Sequence, residues 1–250
     1  MNSSGYIKSM SINKADINKN EYYLSLPIMD YFDRKRELRF TSPITFFVGE
    51  NGMGKSTLLE AIAVSYGFNP EGGSRNFTNF SVNTHSSLYE YIKLVKSAVR
   101  PKDGYFLRAE SFYNVASEIE RLNKIPSKRS LYDSYGGKSL HAQSHGESFM
   151  NLVINRFGGN GLYILDEPEA ALSPMRQLTL LAAINDLVKN NSQFIIATHS
   201  PIMMAVPGSV VYFFSKDTIE AVNYKETPHF TLMRQFLNNP DGMLAHLLEE

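Results

Sequence analysis

At 250 residues, with 25 Lys and Arg balanced by 25 Asp and Glu, the chain has zero formal net charge and room for one large α/β domain. That balance supplies no global field for nucleic acid, an anionic membrane or an acidic partner, and leaves only local patches open. With no cysteine there is no disulfide framework, iron–sulfur cluster or thiolate zinc site, and the usage suits a reducing cytoplasm, the compartment expected here.

The opening residues, Met1 to Met10, are polar and lack the apolar core of a secretory signal. Three segments then read as strands: Tyr6 to Ile12, Tyr22 to Ile28 and Ile44 to Val48, the last a short run rich in β-branched and aromatic residues. Gly49-Glu50-Asn51-Gly52-Met53-Gly54-Lys55-Ser56 follows, matching G-x-x-x-x-G-K-[ST] at every defined position, and Ser56 to Ala63 reads as a helix. Strand, glycine loop and helix in this order suit phosphate binding. Glycines let backbone N–H groups turn inward around phosphate oxygens, and the helix adds its N-terminal dipole. Lys55 is placed to reach the β- and γ-phosphates, and the Ser56 hydroxyl to take a Mg2+ position, with Thr57 next in the loop.

From Gly67 to about Gly146 the pattern loosens, and an inserted, mostly helical lobe is expected over about 67–145, between core segments 1–66 and 146–250. Within it Leu88 to Val99 reads as an amphipathic helix, Tyr105 to Leu107 as a short strand and Val115 to Leu122 as a helix. Order returns with helix Gly146 to Asn155, strand Gly161 to Leu165, helix Met175 to Lys189 and strand Phe194 to Ala197. Continuous apolar strands alternating with helices predict a mainly parallel sheet covered on both faces. The strand before Asp166-Glu167 ends in paired acids: Asp166 suits a Mg2+ position, and Glu167 is placed to polarise an attacking water. Alone, an Asp-Glu-Pro turn would be an ordinary helix cap. His199, after a second apolar strand, is placed at the strand edge where such sheets bind ligands and can donate to a γ-phosphate. Phe194 to Phe214 is broken by His199, Pro201 and Pro207, which a lipid-exposed helix tolerates badly, so no membrane insertion is expected. Phe230 to Leu248 reads as a helix packing on the core.

With these motifs in this order the chain resembles the ABC-type P-loop ATPases, specifically the small soluble ATPases related to the SMC and DNA-repair branch. The likeness runs over Val48 to Thr57, Phe106 to Phe112, Gln143 to Ser148, Gly161 to Leu172 and Ile195 to Pro201. It implies ATP and Mg2+ as ligands, ATP hydrolysis as the reaction, and a homodimer formed on ATP that drives or regulates a protein partner. It makes Gln143 to Glu147 the signature segment, with Ser144 and Gly146 gripping the nucleotide of the other copy. It also puts Glu110 where the metal-contacting Q-loop glutamine stands, an N-terminal antiparallel β layer before the parallel sheet, and Ser173 in place of a D-loop aspartate. Gln143, His145 and Glu147 depart from the usual Leu-Ser-Gly-Gly-Gln. No residue convincingly stacks on adenine, although Tyr22, Tyr23, Tyr31 and Phe32 lie upstream.

Three other readings compete. A GTPase is suggested by Asn13-Lys14-Ala15-Asp16 and Asp133-Ser134-Tyr135-Gly136, but that tetrad precedes the phosphate loop instead of following it. The same engine also serves as an ATPase subunit of membrane transporters, or as a slow nucleotide-gated switch. Whether nucleic acid is a partner stays open, and the 67–146 stretch is too short for the long coiled coil of DNA-tethering relatives.

Overall fold

The computed structural model describes residues 5–14, 17, 20–33, 36–74, 86–108, 117, 120–121 and 144–248. In chain order the strands are β1 (Ile7–Ile12), β2 (Leu38–Arg39), β3 (Ile44–Gly49), β4 (Gly73–Ser74), β5 (Ile92–Lys96), β6 (Asp103–Arg108), β7 (Gly161–Asp166), β8 (Gln193–Ala197), β9 (Val210–Phe214) and β10 (Ile219–Val222). The α-helices are α1 (Ile28–Asp33), α2 (Lys55–Tyr66), α3 (His145–Arg156), α4 (Pro174–Lys189), α5 (Pro201–Met204), α6 (Pro228–Asn238) and α7 (Pro240–Leu248).

The larger sheet has the order β10-β9-β3-β8-β7-β6-β4. Its neighbours from β9 through β3, β8 and β7 to β6 are parallel, and the two edge strands, β10 and β4, are antiparallel. Every residue of β3, β7 and β8 is buried, as strands covered on both faces require. Alternate side chains go to opposite faces. Phe47, Leu162, Ile164, Ile195 and Ala197 join a core with α2 and the N-terminal segment, while Phe46, Val48, Tyr163, Leu165 and Ile196 join a second core with α3 and α4. The fold is therefore the α/β class expected, with helices on both faces of a mainly parallel sheet.

The antiparallel layer is β2-β1-β5. It is pinned to the large sheet by the buried side chain of Gln193, whose Oε1 accepts from Ile7 N–H and whose Nε2 donates to Ile7 O, both at 2.9 Å. Beneath α3 the Asp103 carboxylate accepts from Arg156 at 2.9 Å, Gly158 N–H at 3.0 Å and Tyr163 Oη at 2.8 Å. That network closes the sheet edge opposite the phosphate loop.

Several sequence expectations need correction. Tyr22 to Ile28 is not a strand: Tyr22–Ser25 is a 3-10 turn, and α1 starts at Ile28. Pro27, with its fixed φ and missing N–H, suits the entry to a helix better than the inside of a strand. Leu88 to Val99 is not a helix. The Ser86 side chain accepts from Leu88 N–H to cap a 3-10 turn over Ser87–Tyr91, and β5 then pairs with β1. Among the described residues of 67–145, β4, β5 and β6 are sheet, and much of the stretch expected to form the helical lobe lies outside the described residues. Phe230 to Leu248 forms two helices, broken before Pro240, and neither buries a residue. Leu232 and Leu237 stay 59% and 69% exposed, so this segment does not pack on the core as expected. Among the described residues no helix is long and apolar enough to cross a membrane.

Candidate functional site

Three strands, β3, β7 and β8, end side by side, and each delivers one of the three motifs at its C-terminal edge. From β3 the chain passes Gly49 into the loop, and α2 begins at Lys55 with Gly54 as its N-cap in the left-handed region at φ 89°. A Cβ there would also lie 2.9 Å from Ile28 Cδ1, a side-chain end that could shift, so it is the backbone conformation that demands glycine at this position. Met53 rests partly against the core and contributes to the loop through its backbone.

Lys55 is 5% exposed, and its Nζ donates to Gly49 O at 2.7 Å and Glu50 O at 2.8 Å. Burial pushes the Lys55 pKa down, against the pull of the Glu167, Asp166, Glu50 and Glu169 carboxylates. The ammonium is thus held, partly desolvated, inside an acidic ring and ready to exchange carbonyls for phosphate oxygens. Leu26, Asn51, Gly52, Gly54, Lys55, Ser56, Thr57 and Glu167 line a cavity of about 260 Å3 at this point. A larger cavity of about 470 Å3, lined by Tyr66, Lys96, Ser97, Ala98 and Arg100, sits at the other end of α2 and carries no carboxylate among the described residues. The converging polar groups decide in favour of the smaller one.

Ser56 Oγ donates to Asp166 Oδ1 at 3.0 Å, although the two residues are 110 positions apart. A hydroxyl beside a nearly buried carboxylate is an oxygen donor set that fits Mg2+, which takes few protein ligands and completes its shell with phosphate and water. Among the described residues no group of three or more His, Asp or Glu could hold a metal by itself. Glu110, the other expected metal contact, lies outside the described residues.

Glu167 occupies the left-handed region at φ 48°, with its N–H donating to Ala197 O at 3.0 Å. A non-glycine residue held there costs on the order of 1–3 kcal/mol and persists where the surroundings impose it. Its carboxylate faces His199, with Oε1 3.5 Å from Nε2. The His199 N–H donates to Glu169 Oε1 at 2.7 Å, and burial pushes the Glu169 carboxyl pKa up. His199 Nδ1 lies 3.2 Å from His229 Nε2, at the start of α6. Burial lowers the pKa of both imidazoles. Glu169 and His229 were not singled out from sequence. Glu169 follows Asp166-Glu167 closely enough to have been suspected, whereas His229 stands 30 residues from its partner and carried no local signal.

Ser144 caps α3 reciprocally: its Oγ accepts from Glu147 N–H at 3.3 Å, and Glu147 Oε2 accepts from Ser144 N–H at 3.1 Å. Gly146, in the first turn, leaves no room for a side chain, since a Cβ would meet Ala171 O at 2.6 Å. The first turn of α3 and the turn at Ala171 thus lie in close contact. Ser173 caps α4, with Pro174 at its first position, so it has a structural use in place of the usual aspartate. The buried Gln177 holds this corner, accepting from Ser200 Oγ at 2.6 Å and donating to Leu172 O at 3.1 Å. Gln143 lies outside the described residues.

Two rival features lose ground. Lys14, second in the guanine-like tetrad, donates to Met29 O at 3.0 Å and pairs with Asp33. Ala15, Asp16 and the Asp133 to Gly136 segment lie outside the described residues. Of the adenine-stacking candidates Tyr23 and Phe32 belong to the core, while Tyr22 is 60% exposed.

The family described as AAA domain matches residues 28–194, more than half of the chain. The ABC transporter G family member STR2 of Medicago truncatula is 25% identical over 174 residues, covering 63% of this chain and 24% of that protein. DNA repair protein RAD50 of Drosophila melanogaster is 28% identical over 142 residues, covering 50% of this chain and 11% of that protein. The chain thus spans about a quarter of the first relative and about a tenth of the second. An uncharacterized ABC transporter ATP-binding protein of Haemophilus influenzae is 25% identical over 240 residues, covering 82% of this chain and 88% of that protein. Among solved structures, the ADP conformation of an ATP-binding cassette of an ABC transporter overlays at a TM-score of 0.45 with 14% identity, over 74% of this chain and 82% of that one. The cbiO1 component of the Clostridium perfringens transporter complex cbiONQ overlays at 0.42 with 16% identity, over 86% and 91%.

Proposed function

We propose, starting from the finding that the chain belongs to the AAA domain family and is an ABC-type P-loop ATPase, that it hydrolyses ATP in composite sites between two copies and thereby drives or regulates a protein partner. The observation that carries this reading is the convergence of Lys55, Ser56, Asp166, Glu167 and His199 at the ends of adjacent strands.

In this reading the loop from Gly49 to Gly54 wraps the phosphates, and Lys55 Nζ leaves the Gly49 and Glu50 carbonyls for the β- and γ-phosphate oxygens. Ser56 and Asp166 hold Mg2+, which neutralises charge on the phosphates when bound. Glu167 orients a water for in-line attack on the γ-phosphorus while the bond to the bridging oxygen of ADP breaks. His199 donates from Nε2 to the transferring group. Ser144 and Gly146, at the N-terminus of α3, supply hydrogen-bond donors to the nucleotide of the second copy. The catalysis is positioning and charge neutralisation without a covalent intermediate.

A second reading is an ATPase subunit of a membrane transporter, favoured by the relative from Haemophilus influenzae, which this chain matches over 88% of its length. Both readings require the composite site. The test is subunit mixing of two variants, Lys55→Met and Ser144→Arg, each inactive alone. Each mixed dimer contains one intact composite site, and random pairing at equal amounts makes about half of the dimers mixed, so the mixture regains up to about a quarter of the wild-type rate. No recovery at any ratio, with both chains folded, contradicts the composite site.

A further inference from the structure

His229 is in contact with the proposed catalytic set, and the ATPase reading leaves it unused. It enters from α6, whose N-cap Thr227 is 1% exposed, accepts from Phe230 N–H at 3.3 Å and donates through Oγ1 to Tyr224 O at 2.7 Å. The first turn of α6, and the ring it carries, is therefore fixed by a buried anchor. The facing His199 is fixed from the other side, by the bond from its N–H to Glu169. The two rings stand 5.3 Å apart, centroid to centroid, with Nδ1 of His199 against Nε2 of His229. Their outer nitrogens, His199 Nε2 and His229 Nδ1, are buried and accept or donate no hydrogen bond among the described residues.

We propose that His229 is a positioning residue for the reaction: its Nε2–H donates to Nδ1 of His199 and selects the tautomer in which His199 presents an Nε2–H to the γ-phosphate. This rests on the ATPase reading above. A neutral imidazole carries one N–H and one lone pair, so the shared hydrogen bond holds a single proton, and its side decides both outer nitrogens. With the proton on His199 Nδ1, the Nε2 lone pair would face the Glu167 carboxylate at 3.5 Å and, across the cavity, the phosphates, all of them acceptors. With the proton on His229 Nε2, the same position becomes a donor facing acceptors. That arrangement also leaves His229 with a buried lone pair at Nδ1 and not a buried orphan N–H, the rarer of the two in proteins. The lowered pKa of both rings supports a pair of neutral imidazoles.

The test uses the full chain. Without nucleotide, long-range 1H–15N spectra of histidine-labelled protein, assigned with His199→Ala, are expected to show His199 as the Nε2–H tautomer. In His229→Leu the Nδ1–H form should appear. Under saturating Mg2+ and ATP, His229→Leu should lose about ten- to a hundredfold in kcat with little change in KM, the scale seen when a partner that orients a functional histidine is removed. His229→Gln, whose amide can still donate, should recover to within about threefold of wild type. In the His199→Ala background the Leu substitution should cost nothing further. An Nδ1–H tautomer of His199 in the wild type, unchanged kcat in His229→Leu, or multiplicative losses in the double variant would each overturn the proposal. If His199→Ala itself keeps full activity, the γ-phosphate role of His199 falls, and the tautomer spectra still decide the pairing.

Discussion

Replacing Lys55 by Met separates binding from stability more sharply than any other single change. Lys55 Nζ makes two hydrogen bonds, to Gly49 O at 2.7 Å and Glu50 O at 2.8 Å, from a side chain that is 5% exposed. In the nucleotide complex these bonds pass to phosphate oxygens, and hydrogen bonds to charged groups contribute about 1.5–3 kcal/mol each. Two of them amount to about 3–6 kcal/mol, or about 10^2- to 10^4-fold in affinity at 1.4 kcal/mol per decade. Stability should move little, because the cost of leaving two carbonyls without this donor is offset by no longer desolvating an ammonium whose burial outweighs the nearby carboxylates. The melting temperature should stay within about 4 °C, the shift that about 1 kcal/mol produces at this size. Titration of a fluorescent ATP analogue and a thermal melt read the two quantities on one sample. An affinity within about threefold of wild type, or a large drop in melting temperature beside the affinity loss, would refute the assignment of Lys55 as a ligand group held in waiting.

Gly146→Ala should lower stability by about 1–3 kcal/mol in urea unfolding despite the better helix propensity of alanine, because the added Cβ meets the Ala171 carbonyl at 2.6 Å. Acid should weaken the sheet edge around Asp103. Burial raises the pKa of that carboxyl, but Gly158 N–H, Arg156 and Tyr163 outweigh it and hold the group below its ordinary 3.8. Its contribution is therefore complete above the unfolded carboxylate range and lost as pH falls through the lower folded value, a loss that Asp103→Asn should remove from the acid unfolding curve. Leu232→Lys and Leu237→Lys should change the unfolding free energy by less than about 0.5 kcal/mol, since both side chains are mostly exposed; a loss above about 2 kcal/mol would restore the packing role that sequence suggested.

What could be read from sequence were features whose cause is local. The phosphate loop demands glycine for backbone reasons at Gly54, and β3, β7 and β8 are wholly buried and mostly apolar because both their faces are covered, so spacing and composition were enough. Elements decided by distant partners were misread. The Ile92–Lys96 segment has helix-compatible spacing, and only its pairing with β1 makes it a strand. Leu232, Phe236 and Leu237 are apolar but stay partly or mostly exposed, a fact no periodicity can reveal. The site divides in the same way. Lys55, Ser56, Asp166, Glu167 and His199 were identifiable as motifs, whereas Glu169 and His229 matter through contacts that the fold creates.

The central claim, ATP hydrolysis by two copies face to face, is tested most directly by the oligomeric mass and turnover of Glu167→Gln beside wild type, in Mg2+ with ATP and then GTP. The account predicts a wild type that turns over ATP in preference to GTP, and a variant that binds ATP without hydrolysing it and accumulates as a dimer. Monomers with equal activity, or a preference for GTP, would contradict it.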